Sequence, residues 1–507
     1  MHPLAKLDHK FVWHPFTQMR DWLRREPIVI VEGQGAVLRD VNGREFLDAN
    51  ASIWTNLHGH RHPKLNAAIQ RQLKKIAHSS ALGLANEPAS LLAGKLVEAA
   101  NEIYDLRFTI YESKGKAACK SPIANRKLEK VFFSDDGSTA LEVAVKLAYE
   151  FTRRTRGAKA KPRFLSLDGA YHGDTIGAVS LGHVDLFHAA YGGMLFKTDK
   201  VMSPYCYRCP FNRAKPERAD ARNYRRCDWE CVGLVEKSFS AQKKKGNPFA
   251  AFVFEPLMQG AAGMIPQPSG WLRQVTDIAR GHGARLIADE VMTGFGRTGG
   301  AKAESGKRKA EILFACHHES VQPDFLCLAK GLTGGYLPMA ATLTTQEVFD
   351  AFLGEYEEFR TFFHGHSFTG NQLGAAAALA SLEILNSEKS VLKRAQLQKN
   401  LHAELQTLWQ LPNIGDIRQA GLVAGVELVK NWRTREPFAL RERAGIRVCE
   451  AMARRGVLTR PVGNVIVLMP PYCTTRAQLR RMVSALRDAV SELFTQASLD
   501  SRRHKSA

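Results

Sequence analysis

Lys330 follows the apolar run FLCLA and precedes the turn Gly-Leu-Thr-Gly-Gly. A lysine at the end of a buried strand is costly unless it is paired or used. Desolvation lowers its pKa and makes it a nucleophile or Schiff-base former. The plainer alternative is a lysine snorkelling at a strand end. Asp289 ends a second apolar run, RLIADE, and a buried carboxylate there needs a cation. A protonated ring nitrogen would serve, as would a structural ion pair or a helix cap. SDDGSTALE (134–142) places Gly137 and Ser138 where a strand gives way to a helix. Backbone N–H groups there suit a phosphate, and they suit an ordinary N-cap equally. In GAYHGDT (169–175), Tyr171 is placed to stack on an aromatic ligand, with His172 and Asp174 behind it, or to serve as a core tyrosine in a turn. GFGRTG (294–299) matches a dinucleotide fingerprint, but its glycines start several residues past the strand and run into a Lys/Glu/Ser-rich stretch. That reading is rejected.

Cys206-Tyr-Arg-Cys209 and Cys227-Asp-Trp-Glu-Cys231 lie on one polar excursion, 203–231. Their spacing predicts a structural zinc held by Cys206, Cys209, Cys227 and Cys231, with four reduced thiols in a surface lid as the alternative.

These residues need a scaffold. Strand candidates are 130–134, 163–167, 250–255, 285–290, 325–329 and 340–344, several apolar on both faces. Helical patterns lie between them, one opening on the capping-box spacing Thr139-x-x-Glu142. The alternation predicts an α/β domain with a mainly parallel sheet. Both termini are richer in short runs around Gly turns, among them the hairpin signal Asn42-Gly43. They predict a smaller α+β domain. The expected division is 1–80 as the N-terminal part of the small domain, 81–345 as the large domain, and 346–507 as linker helices and the rest of the small domain. Basic inserts are expected near 112–127 and 301–309.

The 507 residues carry 71 Lys+Arg against 50 Asp+Glu, a net charge of +21. The length supports two or three domains, and 45% hydrophobic residues argue against wholesale disorder. The positive balance invites a nucleic-acid reading, but no reader motif accompanies it and much of the charge falls in the inserts, so no nucleic-acid partner is expected. No apolar stretch suits a signal peptide or a membrane span. Nine cysteines, without a signal peptide, read as reduced thiols or metal ligands. A cytoplasmic protein with no membrane partner is expected.

Taken together, the chain resembles the class III pyridoxal-phosphate aminotransferases over almost its whole length. The resemblance rests on ASIWTNLHGHRHP, SDDGSTALEVAVKLA, GAYHGDTIGAVSLG, EPLMQGAAGM, DEVMTGFGRTG, PDFLCLAKGLTGGYLPMAATLTT and FFHGHSFTGNQLGAAAALA. WHPFTQM (13–19) and LTRPVGNVIVLMPPY (458–472) narrow it to the branch that aminates 8-amino-7-oxononanoate in biotin synthesis. The resemblance implies the fold type I architecture and a homodimer with shared active sites. It implies pyridoxal 5'-phosphate on Lys330, Asp289 at the ring nitrogen, Tyr171 and Val291 on the ring faces, Gly137 and Ser138 on the phosphate, and Ser367 reaching the phosphate from the neighbouring subunit. Arg460 would bind the substrate carboxylate, and Phe16, Ile53, Trp54, Tyr171 and Gly365 would line the substrate site. S-adenosylmethionine is the implied amino donor. Phe16 and Ile53 stand where users of that donor carry aromatic residues, which makes lysine the alternative. Another class III ω-aminotransferase, acting on a diamine or ornithine, is the rival activity.

Overall fold

The computed structural model describes residues 1–112, 126–300 and 312–495. The basic stretch 301–309 lies outside them, as does most of 112–127. Near the N-terminus, β1 (Ile30–Gln34), β2 (Val37–Asp40) and β3 (Glu45–Asp48) form an antiparallel meander. Gly43, at φ 76°, makes the β2–β3 turn that Asn42-Gly43 signals. Strand Val457–Leu458 adds to β3 in parallel, so this sheet draws on both ends of the chain.

The central sheet has seven strands: β4 (Leu128–Ser134), β5 (Phe164–Leu167), β6 (Asp199–Val201), β7 (Ala251–Phe254), β8 (Arg285–Asp289), β9 (Phe325–Leu328) and β10 (Ala340–Thr345). Their order is β4-β10-β9-β8-β7-β5-β6. Only the pairings of β10 are antiparallel. β5, β7 and β9 are buried at every position, as strands covered on both faces must be. Helix Gly137–Arg156 covers one face with Leu141, Ala144, Val145 and Ala148. Helices Glu230–Lys244 and Trp271–Gly281 pack on the other, where Phe239 and Trp271 are buried with Phe252.

A third sheet is built around Ile414–Ala420, Val423–Asn431 and Val465–Leu468. The Cys-rich excursion is docked against it and is not a free lid. Tyr205 and Arg208 both bond Glu427, and the buried Arg418 joins Glu427 (2.7 Å), Asp416 (3.1 Å) and the Gly263 carbonyl (2.6 Å). Unpaired, any of these charges would be strongly destabilising in the interior.

The helix over 137–156 is not capped by Thr139. Its N-cap is Asp136, whose carboxylate accepts from Thr139 N–H at 2.9 Å, and Thr139 is the reciprocal partner. Glu142 turns elsewhere and accepts from Thr175 Oγ1, Gly177 N–H and Ala178 N–H. Among the described residues, no helix is long and apolar enough to cross a membrane.

Candidate active site

The carboxyl ends of β7, β8 and β9 open into a cavity of about 1260 Å³. Open parallel sheets place ligands at this edge, because the loops diverge there. Asp289 is the last residue of β8, and Lys330 stands two residues past β9. These strands are parallel neighbours, so lysine and carboxylate face the same cavity. Lys330 takes φ 42°, a left-handed conformation that a side chain disfavours. Its Nζ lies 4.7 Å from the centre of the Trp54 ring. Desolvation pushes the lysine pKa down, opposed by Asp289 and Glu255.

Asp289 accepts from Val291 N–H at 3.0 Å and pairs with His172 Nδ1 at 2.7 Å. Burial alone would lower the pKa of His172, but the bond to Asp289 together with the charges of Asp289 and Glu255 outweighs it and the histidine is raised. Among the described residues its Nε2 finds no partner. The Tyr171 hydroxyl donates to Asp174 at 2.7 Å, and burial, then this bond, raises the phenol pKa.

Gly137 and Ser138 begin the 20-residue helix at the cavity wall. The Ser138 hydroxyl accepts from Thr175 N–H at 2.9 Å. A Cβ on Gly137 would come within 2.6 Å of Val291 Cγ1, so this close approach requires glycine. Val291 in turn lines the cavity two residues beyond Asp289.

Arg460 lines the same cavity beside Phe16. It makes no ion pair among the described residues and donates to the Phe16 carbonyl at 3.3 Å. The N-terminal segment that carries Phe16 is tied down by Arg443–Asp21 (2.9 Å) and Arg25–Glu450 (2.6 Å). Phe16 packs edge-on against Tyr171 and Phe187. Ile53 and Trp54 enter on an unusual turn: Ala51, Ser52, Ile53 and Trp54 all have φ between 45° and 69°. Each such residue costs about 1–2 kcal/mol. Asp48 holds the turn through Ser52 N–H (3.0 Å) and Ser52 Oγ (2.8 Å).

The structure therefore gathers Gly137, Ser138, Tyr171, Asp289, Val291, Lys330, Phe16, Ile53, Trp54 and Arg460 around one cavity, with Trp54 against Lys330 and Phe16 linking Tyr171 to Arg460. It does not bring Gly365 or Ser367 into this chain's cavity. Both are exposed, and the Ser367 carbonyl bonds His78 at 2.8 Å. Glu255 was not singled out by sequence, although it ends the apolar run AAFVFE just as Asp289 ends RLIADE. It is 6% exposed and accepts from Gly260 N–H at 2.8 Å.

The zinc expectation is corrected. Cys206, Cys209, Cys227 and Cys231 do line one small pocket, yet no group of His, Cys, Asp or Glu among the described residues is arranged to hold a metal ion. A cation is already there: Arg225 lies 3.1 Å from Cys227 Sγ and stacks on Trp229 at 4.0 Å. Burial pushes Cys206 up to about 12 and Cys231 up to about 11 in the metal-free protein, where both are thiols at neutral pH. GFGRTG is likewise structural. Arg297 is fully buried and donates to the carbonyls of Pro470 and Asn56.

A parallel sheet that presents a desolvated lysine and a buried carboxylate to one cavity, beside a helix N-terminus, defines an enzyme of the Schiff-base transferase class. The chain belongs to the class III aminotransferases, whose family model matches residues 19–490. It is 44% identical to the adenosylmethionine-8-amino-7-oxononanoate aminotransferase of Geobacter sulfurreducens, over 96% of this chain and 97% of that one. The crystal structure of the enzyme of that name from Methanocaldococcus jannaschii superposes with a TM-score of 0.81 at 38% identity, over 96% of this chain and 98% of that one. A PLP-bound amine transaminase from an uncultivated Pseudomonas species gives 0.79 at 30% identity, over 95% and 98%.

Proposed function

We propose that the chain uses pyridoxal 5'-phosphate on Lys330 to transfer an amino group to 8-amino-7-oxononanoate, giving 7,8-diaminononanoate, with S-adenosylmethionine as donor. The observation that carries this is one cavity lined by Lys330, Asp289 and an Arg460 that has no ion pair among the described residues. The names of the relatives supply the particular substrate.

The residues fit the cofactor. Gly137 and Ser138 offer N–H groups at a helix start, where phosphate is favoured. Asp289 is buried beside an imidazole and would accept the ring N–H. Tyr171 and Val291 line the same cavity and would flank the ring faces. When bound, pyridoxal phosphate supplies an electron sink for negative charge on the substrate carbon. Lys330 Nζ, its pKa lowered by desolvation, would move a proton from the donor's carbon to the cofactor in the first half-reaction and from the cofactor to the acceptor's carbon in the second. The Arg460 guanidinium binds the acceptor's carboxylate, a task its planar fork suits. Phe16, Ile53 and Trp54 bury the chain between them and exclude water.

A homodimer with shared sites is part of this reading. Leu82 (92% exposed), Phe363 (71%) and Phe368 are large apolar residues left uncovered in the single chain, and the last two flank Gly365 and Ser367. A second copy would cover them. The eight cysteines of the described residues are all free, as a reducing cytoplasm would keep them.

The test is direct. Purified protein with pyridoxal phosphate and 8-amino-7-oxononanoate is given S-adenosylmethionine or lysine, and diaminononanoate is measured by mass spectrometry. Product with the first donor is expected. Product with lysine alone would change the donor, and none with either would overturn the substrate.

A further inference from the structure

Two carboxyl groups lie side by side behind the lysine. Glu255 follows β7 and Asp289 ends β8, and these parallel neighbours pair Phe254 with Ala288. The next residue on each strand is therefore an acid, at the same level of the sheet. Neighbouring strands are about 4.8 Å apart. Both acids are 6% exposed, and His172 beside them is 3% exposed. Lys330 completes the row from beyond β9, the other neighbour of β8.

The two acids are served differently. Asp289 has the His172 imidazole at 2.7 Å and the Val291 N–H. Among the described residues Glu255 has only backbone donors, Gly260 N–H at 2.8 Å and Tyr171 N–H at 3.3 Å. The charged groups that act on it are His172 from the 169–175 loop, Asp289 from β8 and Lys330 from the turn after β9. The Gly260 turn contributes no charge. Carboxylates this close in a dry site do not both ionise readily. The proton stays where the donors are weaker, on Glu255. Burial, with Asp289 adding to it against His172, pushes Glu255 up to about 7.

We propose that Glu255 is a positioning residue that carries the proton Asp289 gives up, and that its ionisation across neutral pH sets the charge felt by Lys330 and the cofactor ring. Below neutrality Asp289 is the one anion of the pair. Above it a second negative charge appears and holds protons on the lysine nitrogen and the ring. Glu255 also fixes the Tyr171 backbone, so it governs placement as well as charge. The inference rests on the cofactor reading above and is independent of the substrate.

The experiment titrates the visible absorbance of the cofactor bound to the holoenzyme, in the wild type and in Glu255→Gln. A neutral amide cannot supply the second charge, so the apparent pKa of the band should fall by about one unit, a tenfold change in the equilibrium. Glu255→Asp should restore much of the wild-type profile, and cofactor affinity should change little in either variant. A Glu255→Gln profile superposing on the wild type overturns the proposal. So does lost affinity with an unshifted profile, which marks a structural role only. Should that variant not fold, infrared difference spectra of the wild-type and Glu255→Asp holoenzymes across neutral pH decide instead. A protonated carboxyl band must disappear as pH rises and must shift in Glu255→Asp, which separates it from the buried Glu290; no such band, or one that the substitution leaves in place, overturns the proposal. A wild-type chain that shows no visible band with pyridoxal phosphate overturns the cofactor reading itself, and this inference with it.

Discussion

His172 Nδ1 and Asp289 Oδ2 meet at 2.7 Å with side chains 0% and 7% exposed. The loop after β5 is thereby bonded to the end of β8, and the carboxylate is aimed by a group on a different segment. Hydrogen bonds to charged groups contribute about 1.5–3 kcal/mol. His172→Asn should weaken cofactor binding by about tenfold or more, measured by equilibrium dialysis. The pH dependence has a definite sign. His172 is raised in the fold, so its contribution to stability is complete below the ordinary histidine value and is lost as pH rises through the raised one. The gap in denaturant midpoint between wild type and His172→Asn should shrink as pH rises. A gap that widens would contradict the pair.

Arg460 has a bond to the Phe16 carbonyl and no ion pair among the described residues, so its charge is available to a ligand. Arg460→Ala should raise KM for the carboxylate-bearing acceptor by about ten- to hundredfold, the loss of charge-assisted bonds worth about 1.5–3 kcal/mol. The methyl ester of the acceptor is the control: wild type and variant should use it equally. A change in kcat with KM unchanged would move Arg460 away from substrate binding.

Six central strands are legible as short apolar runs between breakers, four of them parallel strands covered on both faces. The seventh, Asp199–Val201, is a three-residue edge strand with one buried position, and it carries no such signal. Lys330 and Asp289 announced themselves as polar residues ending apolar runs. Glu255 does the same and went unremarked, so the signal was present there too. The cap at Asp136 was read three residues late, because the spacing of Thr139 and Glu142 fits the same motif. The left-handed turn 51–54 had no local signal at all. Ala, Ser, Ile and Trp do not favour positive φ, and Asp48, from β3, holds the turn. The cysteine spacing was visible, but the guanidinium that Arg225 places beside Cys227 was not.

That guanidinium and the raised thiols of Cys206 and Cys231 predict indifference to chelation. Dialysis against EDTA should leave both turnover and melting temperature unchanged, and metal analysis of the dialysed protein should find no stoichiometric zinc. Cys206 and Cys231 should react slowly with thiol reagents in the native protein, because burial suppresses the thiolate. Loss of stability on chelation, reversed by zinc, would contradict this arrangement.

Among the described residues, Lys330 is the one lysine that lines the cavity with Asp289. Lys330→Ala should abolish the visible band of bound cofactor and lower turnover by at least about 10²- to 10⁴-fold, the range for a lost proton-transfer group. Borohydride should trap cofactor on the wild type and not on the variant. Trapping on both would assign the Schiff base to another amine.

Gly137 and Val291 test the phosphate end without touching a charge. A methyl on Gly137 would lie 2.6 Å from Val291 Cγ1, well inside contact distance, so either the helix start or Val291 must move. Overpacking of this kind costs about 1–3 kcal/mol. Gly137→Ala should therefore weaken cofactor binding by about tenfold, because the displaced groups are the N–H donors and the residue flanking the ring. Val291→Ala removes the obstructing methyl groups, so the double variant should recover most of the affinity lost in Gly137→Ala. Such recovery is a coupling between the two sites, measured by a double-mutant cycle on cofactor affinity. Additive losses would mean that the glycine serves the helix start alone, and that Val291 acts on the ring independently of it.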